Sequence, residues 1–81
     1  MAWLPTIKIA GLEDPVVQVI DEADGQPVYT IRIKGSEFRP KVFREGIYTI
    51  RVGRHPGAMK EFQGIRSLAA DETKTLEVDL D

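Results

Sequence analysis

The sequence predicts an all-β fold, a small antiparallel β-sandwich of about seven strands, and three stretches carry that expectation. Glu45-Gly46 opens into Ile47-Tyr48-Thr49-Ile50-Arg51-Val52-Gly53, where Tyr48, Ile50 and Val52 share one parity and Thr49 and Arg51 the other. Tyr29-Thr30-Ile31-Arg32-Ile33-Lys34 and Leu76-Glu77-Val78-Asp79-Leu80 alternate in the same way, so each segment offers one face to a shared core.

Trp3 to Ala10 reads as the first strand, with Ile7 and Ile9 inward and Thr6 and Lys8 outward. Pro5 suits an edge or a strand start, where a missing N–H costs little. Gly11-Leu12-Glu13-Asp14-Pro15 breaks this strand, and Val16 to Asp21 is the second. Asp24-Gly25 supplies the turn of a hairpin to the third strand, Val28 to Lys34, in which Tyr29 falls in phase with Ile31 and Ile33 and points to the core. Gly35-Ser36-Glu37 turns the chain into a short edge piece, Phe38 to Phe43, interrupted by Pro40. Ile47 to Gly53 follows, closed by His55-Pro56-Gly57, and then Met59 to Ile65 with Gly64 as a bulge. Residues 66 to 73 form a loop in which Leu68-Ala69-Ala70 can wind one helical turn, and Thr75 to Leu80 is the closing strand. If the closing strand pairs with the tyrosine strand, Arg51 lies on the solvent side near Glu77 or Asp79. Tyr48 should be buried, its hydroxyl bonded back to neighbouring backbone.

A chain of 81 residues is read as a single β-sandwich domain, 1–81, whose strands run to its ends as in a module cut from a larger protein. It contains no cysteine, which excludes disulfides and thiolate metal sites. No uncharged run approaches the roughly 18 residues of a membrane span, so no membrane insertion is expected. Met1-Ala2-Trp3-Leu4 lacks the basic and long apolar regions of a secretion signal. The net charge of −2 hides a division: residues 32 to 66 hold nine Lys/Arg against three Asp/Glu, while the flanks hold two against ten. The plain reading places basic middle strands beside acidic outer strands, with side chains pairing across the sheet; the other is a basic surface for an anionic partner.

Chemistry-bearing motifs are few. Asp21-Glu22-Ala23-Asp24-Gly25 fails the spacing of a calcium loop, since with Gly25 in sixth place the first ligand would be Ile20. His55 stands alone between Arg54 and Pro56, and Ser36 and Ser67 sit in turns without a nucleophile-elbow pattern. No catalytic residue, cofactor or metal follows, and the chain reads as a non-enzyme that folds as a monomer. Phe38-Arg39-Pro40-Lys41-Val42-Phe43-Arg44 interleaves aromatics with cations, but its parity is that of a half-buried strand and the pI of about 5.3 argues against nucleic acid. The binding candidates are Trp3 for carbohydrate, its side undecided by the alternation, and Arg39, Lys41, Arg44 and Arg54 for an anion.

Val19-Ile20-Asp21-Glu22-Ala23-Asp24-Gly25-Gln26-Pro27-Val28 resembles the opening of carboxypeptidase regulatory-like domains: a valine strand, an aspartate, a glycine turn, then Pro before an aliphatic residue. Gly46-Ile47-Tyr48-Thr49-Ile50-Arg51-Val52 is similar to that family's glycine, tyrosine and aliphatic strand, and Leu76 to Leu80 resembles its closing strand. The likeness spans about residues 16 to 80, and prealbumin-like and immunoglobulin-like modules share its short elements. The middle departs from the pattern, the Asp-rich turn being reduced to Gly35-Ser36-Glu37-Phe38. The resemblance implies a non-catalytic accessory module that spaces, docks or stabilises a larger, extracytoplasmic bacterial protein through its other domains. The alternative expectation is a carbohydrate- or anion-binding module.

Overall fold

The computed structural model describes residues 1–80; the last residue of the expected domain, Asp81, lies outside the described residues. The described residues form an all-β sandwich of nine strands: β1 (Ala2–Trp3), β2 (Thr6–Ala10), β3 (Val16–Asp21), β4 (Gln26–Arg32), β5 (Glu37–Phe38), β6 (Lys41–Val42), β7 (Ile47–His55), β8 (Ala58–Arg66) and β9 (Thr75–Asp79). The count exceeds the expected seven because two segments divide. Trp3 to Ala10 splits at Leu4-Pro5, where proline withholds a ladder donor, and Phe38 to Phe43 splits at Arg39-Pro40 for the same reason. Each prolyl break moves the chain from one ladder to another.

One sheet runs β4-β3-β7-β8; β5-β2-β9 and the short pair β1-β6 make up the rest. All pairings are antiparallel except β2 with β9, which run parallel from Thr6↔Thr75 to Ala10↔Asp79. The closing strand therefore does not join the tyrosine strand. Arg51 keeps its expected outward side, but its partner is Glu61 on β8, with Nε 2.7 Å from Oε1, and not Glu77 or Asp79. Alternation fixes which way a side chain points and says nothing about which strand lies beside it.

The core forms as the periodicity requires. Tyr48, Ile50 and Val52 of β7 meet Val17 and Val19 of β3, and Leu4, Ile7, Ile9, Val42 and Val78 close over them. Thr49, on the outer parity, is nevertheless buried, because its hydroxyl donates to Glu22 Oε2 at 2.8 Å. The same oxygen accepts from the amide of Gly64, which has φ of +69° and opens the expected bulge where Tyr48↔Ile65 shifts to Ile50↔Phe62.

Three local expectations change. Tyr29 and Ile33 turn in, but Ile31, opposite Val17 on the edge strand β4, is 37% exposed; the register slips between Val19 and Ile20, where Val28 becomes an extra residue on β4. β7 does not end at Gly53; it continues through His55 into a tight hairpin with β8 across Pro56-Gly57. Leu68-Ala69-Ala70 forms no helical turn, because Leu68 exchanges backbone hydrogen bonds with Trp3 at 3.0 and 2.7 Å and is buried.

Candidate functional site

Functional geometry gathers at the corner built by β1 and β6. These strands are two residues each and pair Ala2↔Val42 and Trp3↔Lys41. Ala2 and Val42 turn into the core, so Trp3 and Lys41, with Arg39 two residues before, share the outward face. The Arg39 guanidinium lies 4.6 Å from the centroid of the Trp3 indole and the Lys41 ammonium 5.2 Å. Arg39 Nη2 also donates to the carbonyls of Ala70 (3.2 Å) and Glu72 (3.0 Å), stapling the loop before β9 to the corner. A sugar ring stacking on the covered indole face would have to displace these cations.

Because the chain has one tryptophan, this stack has a direct optical readout. Arg39→Ala is expected to raise acrylamide quenching of Trp3 and to lower stability by about 1 kcal/mol, the worth of a partly exposed cation–π contact. Unchanged quenching would mean that the guanidinium does not shield the ring.

Phe43 continues the outward series past Lys41 and is 78% exposed. Together with Met1, Tyr29, Lys41 and Val42 it lines a groove of about 310 Å³. The Tyr29 hydroxyl donates to the Lys41 carbonyl at 3.1 Å, tying β4 to β6 beneath the groove, and burial pushes the Tyr29 phenol up. Phe43 also lines a second groove of about 240 Å³, together with Asp21, Asp24, Pro27, Val28 and Arg44. Among the described residues, neither Arg39 nor Lys41 pairs with a carboxylate.

Two of the five candidate residues do not join this surface. Arg44 sends Nε (2.9 Å) and Nη2 (2.7 Å) to Asp21 Oδ2, and its own carbonyl accepts the Tyr48 hydroxyl at 2.6 Å. Its charge is spent on holding the β3–β4 loop against the strand end. Arg54 lies at the far end of β7, where its carbonyl accepts from Arg32 Nη2 at 3.3 Å. The carboxylates of the Asp21-Asp24 loop are similarly occupied: Asp21 Oδ1 accepts from the Ala23 amide and Asp24 Oδ1 from the Gln26 amide, both at 2.9 Å. His55 Nδ1 accepts from the Gly57 amide at 3.2 Å and caps the hairpin turn.

The Ala23 amide, and after it the Arg44 side chain, hold the Asp21 carboxyl below its ordinary value. A carboxyl depressed in the folded state stabilises the fold fully above the unfolded value of about 3.9, and that contribution disappears as pH falls through the lower folded value. Thermal melts between pH 6 and pH 2 should therefore show a loss of stability concentrated below about pH 4. Asp21→Asn should flatten that slope, with Glu61, held down by Arg51 and Gln63, accounting for part of the remainder. A slope identical in Asp21→Asn and the parent would remove Asp21 as its source.

Comparison with protein-family models, with curated proteins and with solved structures finds no match to this chain. The site is thus defined by its own geometry. Sequence reasoning found Trp3, Arg39 and Lys41 but missed Phe43 and Met1 as surface groups. The available signal was parity: Phe43 is in phase with Arg39 and Lys41, so a strand burying Val42 must expose it.

Proposed function

We propose that this chain is a non-catalytic accessory module whose task is docking, with the β1–β6 corner as its contact surface. The observation that carries the reading is the exposure of Phe43 and Met1, 78% and 80%, on a groove whose floor is already closed by Tyr29 and Val42. The core gains nothing from a phenylalanine at that position, whereas a partner would. The chemistry of the remaining groups supports the same reading. Ser67 Oγ accepts from the Gly46 amide, His55 caps a turn and Asp21 is tied to an arginine, so each has structural employment. The resemblance to carboxypeptidase regulatory-like domains adds an extracytoplasmic setting and a larger parent protein as the context of docking.

Of the alternative, a carbohydrate- or anion-binding module, the anion half is favoured by Arg39 and Lys41 having no carboxylate partner among the described residues. The test is made in the full open reading frame. Phe43→Ser is expected to leave the turnover of any neighbouring catalytic domain unchanged and to weaken its attachment to partner or surface. Loss of turnover with attachment intact would overturn the reading, as would hydrolysis of glycoside, ester or phosphate substrates by the isolated chain.

A further inference from the structure

We infer that the corner takes an acidic, extended peptide segment, which lies along the open edge of β4 and seats one large apolar side chain beside Phe43. The inference rests on the docking reading above and names the chemistry of the partner. Three observations converge on it: an unpaired strand edge, an uncompensated positive field and a concave apolar seat.

Among the described residues β4 shares a backbone ladder with β3 alone, so its other edge is open. The Ile33 amide donates inward to the Pro15 carbonyl at 3.0 Å. Alternation then turns the backbone groups of Ile31 toward β3 and those of Thr30 and Arg32 outward, where an added strand can use them. Pro27 withholds a donor at the other end of β4, so the usable edge is its later half. A segment pairing there runs on past Tyr29, whose side chain lines the groove.

The field along this path is positive. Residues 26 to 44 carry five Lys/Arg against one acidic residue, Glu37. Arg44 is neutralised by Asp21, and Arg32 turns its guanidinium back across β3 to the carbonyls of Asp14 and Arg54; among the described residues the other three, Lys34, Arg39 and Lys41, pair with no carboxylate. An acidic segment complements that charge, while a neutral or basic one does not.

The shape separates a peptide from a membrane. A bilayer takes protruding apolar groups over a broad convex surface. Here Met1 and Phe43 wall a groove of about 310 Å³, room for one large side chain. A single anchor in a pocket with a charged rim is the arrangement by which short segments are held.

The test uses the whole chain, labelled for amide NMR, and a capped nonapeptide alternating glutamate with valine around one central phenylalanine. Shifts are expected at Thr30 to Ile33, at Lys41 to Phe43 and at the Trp3 indole. Phe43→Ser and Lys41→Glu, both at exposed positions, should each weaken the peptide about tenfold, and raising salt should weaken it further. A lysine-for-glutamate peptide and one with serine at the centre should not bind. Equal binding of the lysine peptide, or no shifts at millimolar acidic peptide, would overturn the inference while leaving docking to other partners open to its own test. Phe43-dependent binding to phosphatidylserine vesicles without peptide binding would keep the corner as a docking surface and replace the partner with a bilayer. Peptide binding unaffected by Phe43→Ser would remove both the seat and the docking reading.

Discussion

Replacing Tyr48 with alanine is expected to cost about 3 to 5 kcal/mol, more than any other change in β7 outside its hairpin, as large aromatic truncations in cores do. Among the described residues Tyr48 is the largest fully buried side chain, at 1% exposure, and it begins the inward series Tyr48, Ile50, Val52 near the start of β7. Its hydroxyl donates to the Arg44 carbonyl, four residues upstream, at 2.6 Å. Arg44 in turn grips Asp21, so ring, turn and β3–β4 loop are joined through one residue. Burial, with the nearby Asp21 carboxylate, pushes the phenol pKa up and keeps it a donor across the working pH range. Tyr48→Phe keeps the packing and loses the hydrogen bond, at about 1 kcal/mol. Urea melts of the two variants separate the parts. A Tyr48→Ala midpoint near the parent's would mean that the ring fills no core volume.

What the sequence disclosed and what it hid divide along one physical line. Face assignments came from period-two alternation, and Ile7, Ile9, Tyr48, Ile50, Val52 and Val78 are all buried as read. The Asp24-Gly25 hairpin was legible because the turn needs a glycine at positive φ, and Gly25 has +71°. Pairing was not legible. That β9 lies parallel to β2, almost the whole chain length away, depends on which strands bury one another's faces, and alternation is identical for every candidate neighbour. The proline breaks at Pro5 and Pro40 were visible, but their consequence, a separate β1–β6 pair, was not. For that reason Trp3 had no assigned side, although its partners Arg39 and Lys41 were already candidates. Arg44 and Arg54 were grouped with them on charge alone; charge counts do not register that Asp21 had already claimed Arg44.

Gly53→Ala should cost about 3 kcal/mol, an overpacking effect at the upper end of its usual range because no side chain can yield. β7 and β8 pair Gly53↔Met59 and then His55↔Ala58, so Arg54 is an extra residue and the two backbones approach closely at the bulge. A methyl group on Gly53 would overlap the Ala58 carbonyl oxygen and lie 2.7 Å from Met59 Cα and 2.9 Å from the Ala58 carbonyl carbon. All three contacts are backbone, so the hairpin itself must open to admit the methyl. Gly64 provides the internal comparison on the same strand pair. A methyl there meets nothing within 4 Å, and the substitution carries only the penalty of placing alanine at φ of +69°, about 1 kcal/mol. The two variants therefore separate steric closure from backbone strain. Urea unfolding should place Gly53→Ala well below Gly64→Ala, with weakened amide-exchange protection from Val52 to Lys60. If Gly53→Ala instead unfolds within about 0.5 kcal/mol of the parent, the two strands do not approach as closely at this bulge as the ladder requires.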